Sequence, residues 1–308
     1  MPNYRLITRS DFDGLVCAIL FKELDMIDRI LFVHPKDMQD GKVEVAPDDI
    51  ATNLPYVPGL FLAFDHHLSE TLRIAGHPAN HIIDPNAPSA SRVVYEYYGG
   101  KKRFPHVSDE LMDAVDKSDS GQFTQQEVLY PKKWVLLNFI MDPRTGLGRF
   151  KNFRISNYDL MMTLIEHCRN HGIEEILQLP DVEERIELYF EQEEKFKEQI
   201  RRCSTLKDNL VILDLRDESI IYAGNRFMIY ALYPIVNISM HVMKGKMGQN
   251  TVFAVGKSIF NRTSRTDIGK LMLKYGGGGH ANAGTCQVDN DVTDKVMNEL
   301  IDSITQDG

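Results

Sequence analysis

Short apolar runs alternating with helix-period stretches dominate the first third of the chain. RLIT (5–8), RILFV (29–33) and GLFLAF (59–64) have the length of buried strands. Between the first two lies GLVCAILFKELDMI, apolar nearly all round, which predicts a buried helix. Strand, helix and strand in that order predict parallel βαβ units, because a parallel pair needs a crossover long enough to hold a helix. Further on, SASRVVYEYY (89–98) and SDELMDAVDK (108–117) read as helices opened by an N-capping serine, and WVLLNFIMD and YDLMMTLIEHCRN as core helices.

From Asp181 to Leu206, Val182, Ile186, Tyr189, Phe196 and Ile200 recur at helical spacing in an otherwise charged stretch, which predicts a long amphipathic helix. Beyond it the period shortens. VILDL, FMIYALYP, VNISMHVMKG and TVFAVGKS predict strands, GKMGQN a hairpin turn, and TDIGKLMLKYG a further helix. The fold class expected is α/β. A parallel-sheet α/β domain over 1–185 is joined by a long helix, 186–206, to a smaller α/β domain over 207–308.

Composition sharpens this picture in three respects. A length of 308 residues suits two domains, and 43% hydrophobic with 26% charged residues is globular. No apolar run reaches the roughly 20 residues that span a bilayer. The opening stretch MPNYRLITRSD lacks a secretory pattern, and four cysteines stand scattered without a CxxC pair. The expectation is a cytoplasmic protein with reduced thiols and no membrane partner, with Cys17 a core thiol. The net charge of −9 weighs against long nucleic acid, which needs clustered cations. Lys244, Lys246, Lys257, Arg262, Arg265, Lys270 and Lys274 nevertheless crowd one stretch with Asp267 as its one acid, so a small anion is expected there.

Candidate chemistry concentrates at strand ends. Asp11 and Asp13 follow the first strand and precede Gly14, a spacing that turns two carboxylates toward one locus, as hard divalent cations require; a turn or helix cap uses the same residues. Asp65-His66-His67 closes another strand, and its mixed oxygen and nitrogen donors suit Mn²⁺, Fe²⁺, Zn²⁺ or Co²⁺ better than Mg²⁺. The competing reading is a structural Asp–His pair. Gly276, Gly277, Gly278 and Gly279 run into His280, where glycine would let an anion approach backbone N–H groups. A helix stop is the alternative.

Taken in order, TRSDFDGLVCA, FDHH, DKSDSGQF and YGGGGHANAG resemble the motifs of the DHH phosphoesterase superfamily with its DHH-associated C-terminal domain, over nearly the whole chain. The resemblance implies a metal-dependent phosphoesterase that cleaves terminal phosphate esters of short oligonucleotides or small nucleotides (pAp or pApA), with Mn²⁺ as one or two ions and Mg²⁺ or Co²⁺ as substitutes. It implies metal ligands at Asp11, Asp13, His66, Asp119 and a strand-end aspartate, Asp49 in preference to Asp48. His67 would face the phosphate with Asp65 orienting it, and Arg262, Gly276–Gly279 and His280 would bind substrate. Relatives also allow polyphosphate as substrate and a homodimer. Arg9 departs from the pattern, since many relatives carry a ligand there and a guanidinium repels a cation. Its presence raises three further expectations: one metal held weakly with Asp116 or His34 in reserve, Arg9 on the phosphate, or a catalytically weak nucleotide-binding regulator. The C-terminal motif is one residue short after His280.

Overall fold

A computed structural model describes residues 3–74, 76 and 78–308; Met1 and Pro2, at the head of the opening stretch MPNYRLITRSD, lie outside them. By internal contacts the chain divides into two units. One is Met1–Phe123 with Pro131–Glu187, the other Thr124–Tyr130 with Leu188–Gly308. The helix Pro180–Cys203 runs unbroken through the second division.

The first unit is built on β1 (Tyr4–Arg9), β2 (Ile27–Val33), β3 (Asp49–Thr52), β4 (Leu62–Asp65) and β5 (His81–Ile83), all parallel, in the order β2-β1-β3-β4-β5. The helix Phe12–Glu23 buries every residue from Phe12 to Phe21, packed on β1 and on the helices Ala90–Tyr97, Asp109–Asp119 and Asn157–Asn170. Covered on all sides, it needs no polar face, which is why its sequence from Leu15 to Phe21 is apolar. Each of Leu15, Val16, Ile19 and Leu20, at no more than 1% exposure, contributes about 1.5–3 kcal/mol of burial.

This order places a topological switch between β1 and β3, and ligands of open α/β sheets sit outside the strand carboxyl ends at such a point. The residues that leave β1 and β3 there are Arg9 to Asp11 and Asn53.

In the second unit, β6 (Ser204–Lys207), β7 (Leu210–Asp214), β8 (Ile238–Lys244), β9 (Asn250–Lys257), β10 (Gly278–His280) and β11 (Ala283–Asp289) form a mixed sheet in the order β10-β11-β9-β8-β7-β6. Only the β7–β8 pair among these strands is parallel. One face packs Ile238, Met240, Val242, Phe253 and Val255 against Ile268 and Met272 of one helix and Val296, Leu300 and Ile304 of another. The opposite face carries Ser239, His241, Ala254 and Gly256, in keeping with strand alternation.

Two elements differ from the sequence expectation. FMIYALYP is not a strand but contains the short helix Met228–Leu232. Buried Asn225 receives the Phe227 N–H and donates to Val128 O and Tyr189 Oη, and the Tyr230 hydroxyl sits 2.7 Å from Ser239 Oγ and 2.8 Å from Gly256 O, so tertiary contacts override strand propensity. The glycine run likewise does more than stop a helix: Gly278–His280 is an edge strand in a hairpin with β11. A Cβ at Gly277 would stand 2.1 Å from Thr285 O, so this position admits no side chain without moving the strand.

Candidate functional site

Asp11 and Asp13 take their positions from the start of the helix Phe12–Glu23. Asp11 is its N-cap, accepting the Gly14 N–H at 3.0 Å. Asp13, 1% exposed, reaches across to the start of the helix Ala90–Tyr97, where its carboxylate accepts the N–H groups of Ala90 (3.0 Å) and Ser91 (2.8 Å) and the Ser91 hydroxyl (2.6 Å). A helix N-terminus favours an anion, which holds this buried carboxylate in place. Gly14 lets the turn close: a Cβ there would lie 1.9 Å from the Arg9 carbonyl oxygen and 2.8 Å from Thr8 Oγ1. Gly14→Ala is therefore expected to cost about 3 kcal/mol, the upper range of overpacking, and to lower metal affinity in the same protein. Thermal melts together with manganese titration would check it, and wild-type values in both would refute it.

The third motif sits at the end of β4. Asp65, 1% exposed, accepts the His66 N–H at 2.8 Å and approaches His67 Nδ1 at 2.7 Å through the same oxygen, while its Oδ2 is buried without a hydrogen bond. His66 sets Nδ1 3.2 Å from Ala87 O and turns Nε2 to 2.8 Å from Asp119 Oδ2. That Nε2 is buried and has no hydrogen-bond partner, so the two atoms face one another at close range without sharing a well-aligned proton. Asp119 is the last residue of the helix Asp109–Asp119, which Gly121 stops in the left-handed conformation (φ 63°). Phe123, 5% exposed, anchors the following chain against Phe139.

One donor atom each from Asp13, His66 and Asp119 therefore lie within 4.8 Å of one another. The charges are strongly linked. Burial and the neighbouring Asp119 push Asp13 up to about 7. Burial would pull His66 down, but the contact with Asp119 and its charge outweigh it and lift the imidazole to about 9. Burial would also raise Asp119, yet His66 holds it below the usual carboxylate range. His67 is raised in the same way, burial being outweighed by Asp65. Two carboxylates and one imidazole nitrogen, converging with an orphaned nitrogen between them, fit a divalent transition ion.

Asp11 lies beside this group in different company. Its Oδ2 pairs with Arg9 Nε at 2.9 Å and its Oδ1 accepts Asn53 Nδ2 at 3.2 Å. Burial raises it and Arg9 opposes the rise. Arg144 also acts electrostatically on Asp11 and Asp119, while its guanidinium is braced on Asp142.

Asp49 does not join the cluster, contrary to expectation. It opens β3 instead of leaving it, paired in register with Arg5 at the opposite end of the sheet. There its two oxygens take Arg5 Nε and Nη2 at 2.7 Å each, and Oδ2 also takes the Ala46 N–H. Asp48 is exposed and pairs with Arg29. The strand-end position belongs to Asn53, a left-handed residue (φ 54°) that a sequence reading for carboxylates passes over. The two reserve ligands are engaged elsewhere as well: Asp116 accepts from Ser89 and, through one oxygen, from Arg92, and His34 Nδ1 caps its own short helix. Arg144 and Ser91 were also missed; the DPRTG turn was the only local signal of the first.

In the second unit, His280 and the glycine run form the exposed edge hairpin, and Arg262 is exposed, donating to Ile259 O. Separately, a cavity of about 340 Å³ opens on the sheet face opposite the core. Ala254, Gly256 and Ala283 form a floor of small side chains, bordered by Arg226, Lys257 and His241. Desolvation pushes His241 down to about 4, so the ring is neutral at pH 7. Among the described residues no helix is long and apolar enough to cross a membrane.

No protein-family model matches the chain, and no curated protein matches it. Among solved structures, the pGpG-specific phosphodiesterase PggH from Vibrio cholerae is similar at 62% identity and a TM-score of 0.87, covering 99% of this chain and 100% of its own. CDC45 from Entamoeba histolytica is similar in fold, at 9% identity and a TM-score of 0.52 over 99% and 95% of the two chains. RecJ from Thermus thermophilus, in complex with Mn²⁺, aligns with 98% of this chain and 52% of its own at 12% identity and a TM-score of 0.48. A close relative over the full length, the parallel sheet with its strand-end acids, and the Asp-His-His turn lead to one conclusion: the chain belongs to the DHH phosphoesterase superfamily.

Proposed function

We propose that this protein hydrolyses the phosphodiester of a short linear dinucleotide of the pGpG type, with Mn²⁺ as its working cation. The observation that carries the reading is the convergence of Asp13, His66 and Asp119 at the carboxyl end of the parallel sheet, in a chain so close to a pGpG-specific phosphodiesterase. When bound, a divalent cation supplies polarisation of a phosphoryl oxygen and of the attacking water. Asp13, His66 and Asp119 would hold it. Asp65 holds His67 through Nδ1 at 2.7 Å, which fixes the ring and assigns proton exchange with a phosphate oxygen to Nε2. Burial of Asp65 strengthens that hold, because a carboxylate removed from water has few other partners.

The grip on the nucleotide is assigned to the second unit, to the glycine hairpin with His280 and Arg262, and to the small-floored cavity with Arg226 and Lys257. A floor of alanine and glycine accepts a flat ring, and two cations beside it suit a phosphate.

The test is a panel of pGpG, pApA, pAp, a five-nucleotide RNA and polyphosphate, each incubated with Mn²⁺ and resolved by chromatography. Mononucleotide release from pGpG, at least ten times faster than any turnover of polyphosphate or the longer RNA, is the expected result. Preferred cleavage of polyphosphate would overturn the reading, and so would tight binding of pGpG without turnover.

A further inference from the structure

Asp11 differs from the other strand-end acids in what surrounds it. Its two oxygens accept the Asn53 amide at 3.2 Å and the Gly14 N–H at 3.0 Å, and Oδ2 also forms an ion pair with Arg9 Nε at 2.9 Å. Arg9 is the last residue of β1 and Asn53 directly follows β3, so the two strands that flank the switch point end in a cation paired with this carboxylate and an amide that donates to it. A divalent cation needs lone pairs from its ligands and is repelled by a guanidinium. The remaining acid on β3, Asp49, is bound to Arg5 at the other end of the strand and cannot bridge to a second ion. On the other side of the centre, Asp13, His66 and Asp119 bring three ligand atoms within 4.8 Å.

We infer that the centre holds a single divalent cation, at Asp13, His66 and Asp119, and that Arg9, clamped by Asp11, stands beside it as a permanent positive charge that binds a phosphoryl oxygen of the substrate. The inference rests on the phosphoester reading given above and adds how many ions serve it. Arg9 is suited to this role by exposure as well as by charge. Its side chain is 31% exposed, and its Nη groups donate to no acceptor among the described residues. Arg144, the other guanidinium that acts on Asp11, already spends Nε and Nη2 on Asp142. The ion pair with Asp11 favours the position of Arg9 beside the centre when the site is empty of substrate. A guanidinium so held also meets a phosphate with two parallel N–H groups, a geometry that a second spherical ion would not impose.

Manganese titrated into the purified full chain provides the first test, counted by elemental analysis after desalting and examined by electron paramagnetic resonance. One ion per chain, with the six-line spectrum of an isolated ion, is expected; two ions per chain with an exchange-coupled spectrum would overturn the inference. The second test is Arg9→Gln in the manganese-loaded protein. Its affinity for inorganic phosphate, measured by calorimetry, should fall about tenfold, roughly the loss of one charge-assisted pair. KM for the dinucleotide should rise more than kcat falls. Manganese content should stay at one ion, which shows that the site is still folded. Wild-type phosphate affinity in this variant would remove Arg9 from the phosphate. The two readings fail separately: two ions in a chain that cleaves pGpG would end this inference alone, and one ion in a chain that cleaves no dinucleotide would end the proposed activity alone.

Discussion

Asp119→Ala is expected to reduce turnover by roughly 10³-fold and to strip the protein of manganese, with the fold intact. The loss follows from geometry: Asp119 supplies one of the three converging ligand atoms, and a cation that polarises a phosphoryl oxygen is worth several kcal/mol in the transition state. Retention of the fold follows from where Asp119 sits. It is the final residue of its helix, where a negative charge opposes the helix dipole, and it repels Asp13. Removing it relieves both but gives up the contact with His66, so the melting temperature should stay close to the wild-type value. Asp13→Ala offers the contrast. It should lose the same metal and the same activity, and in addition release the N–H groups of Ala90 and Ser91 that it now accepts, lowering stability by about 1–3 kcal/mol. Manganese retained by Asp119→Ala at wild-type affinity would show that these three residues are not the ligand set.

Arg5→Ala should have the opposite signature. Asp49 is 1% exposed and Arg5 is its only charged partner among the described residues, by two bonds of 2.7 Å. Truncating the arginine leaves a buried carboxylate with the Ala46 N–H alone, and breaking such a pair costs about 3 kcal/mol, somewhat less than in a fully dry site because Arg5 is itself 26% exposed. For a unit of this size that corresponds to a fall in melting temperature of about 6–12 °C. Manganese affinity should not move, since the pair lies at the amino end of β3 and the metal ligands at the carboxyl ends. A variant that melts normally but binds manganese weakly would restore Asp49 to the metal centre.

The contrast between these two acids shows what the chain discloses locally. Asp11, Asp13, the Asp-His-His turn and the Asp-Ser-Gly stop could be placed because each sits where a strand or helix ends, and those ends are marked by caps, glycines and abrupt changes of hydrophobic period. Asp49 could not be placed in the same way. The four residues of β3 are all buried, so no alternation of polar and apolar positions reveals where the strand begins, and a shift of a few residues exchanges its two ends. The same difficulty concealed Asn53, whose amide has no signature as a metal-site residue until its neighbour Asp11 is seen. FMIYALYP failed for a different reason: in a five-residue helix, propensity is weaker than the buried hydrogen bonds of Asn225 and Tyr230.

The sequence by itself determined the α/β class, the strand-end acids, the histidine pair and the family they belong to, because hydrophobic period and terminal residues are local properties. Only the tertiary structure decided which acids share a locus: Asp13 with His66 and Asp119 around one point, Asp11 with Arg9 and Asn53 beside it, and Asp49 at the far end with Arg5. The physical reason is that strand register and crossover order bring together residues tens of positions apart, and neither can be read from any single stretch of chain.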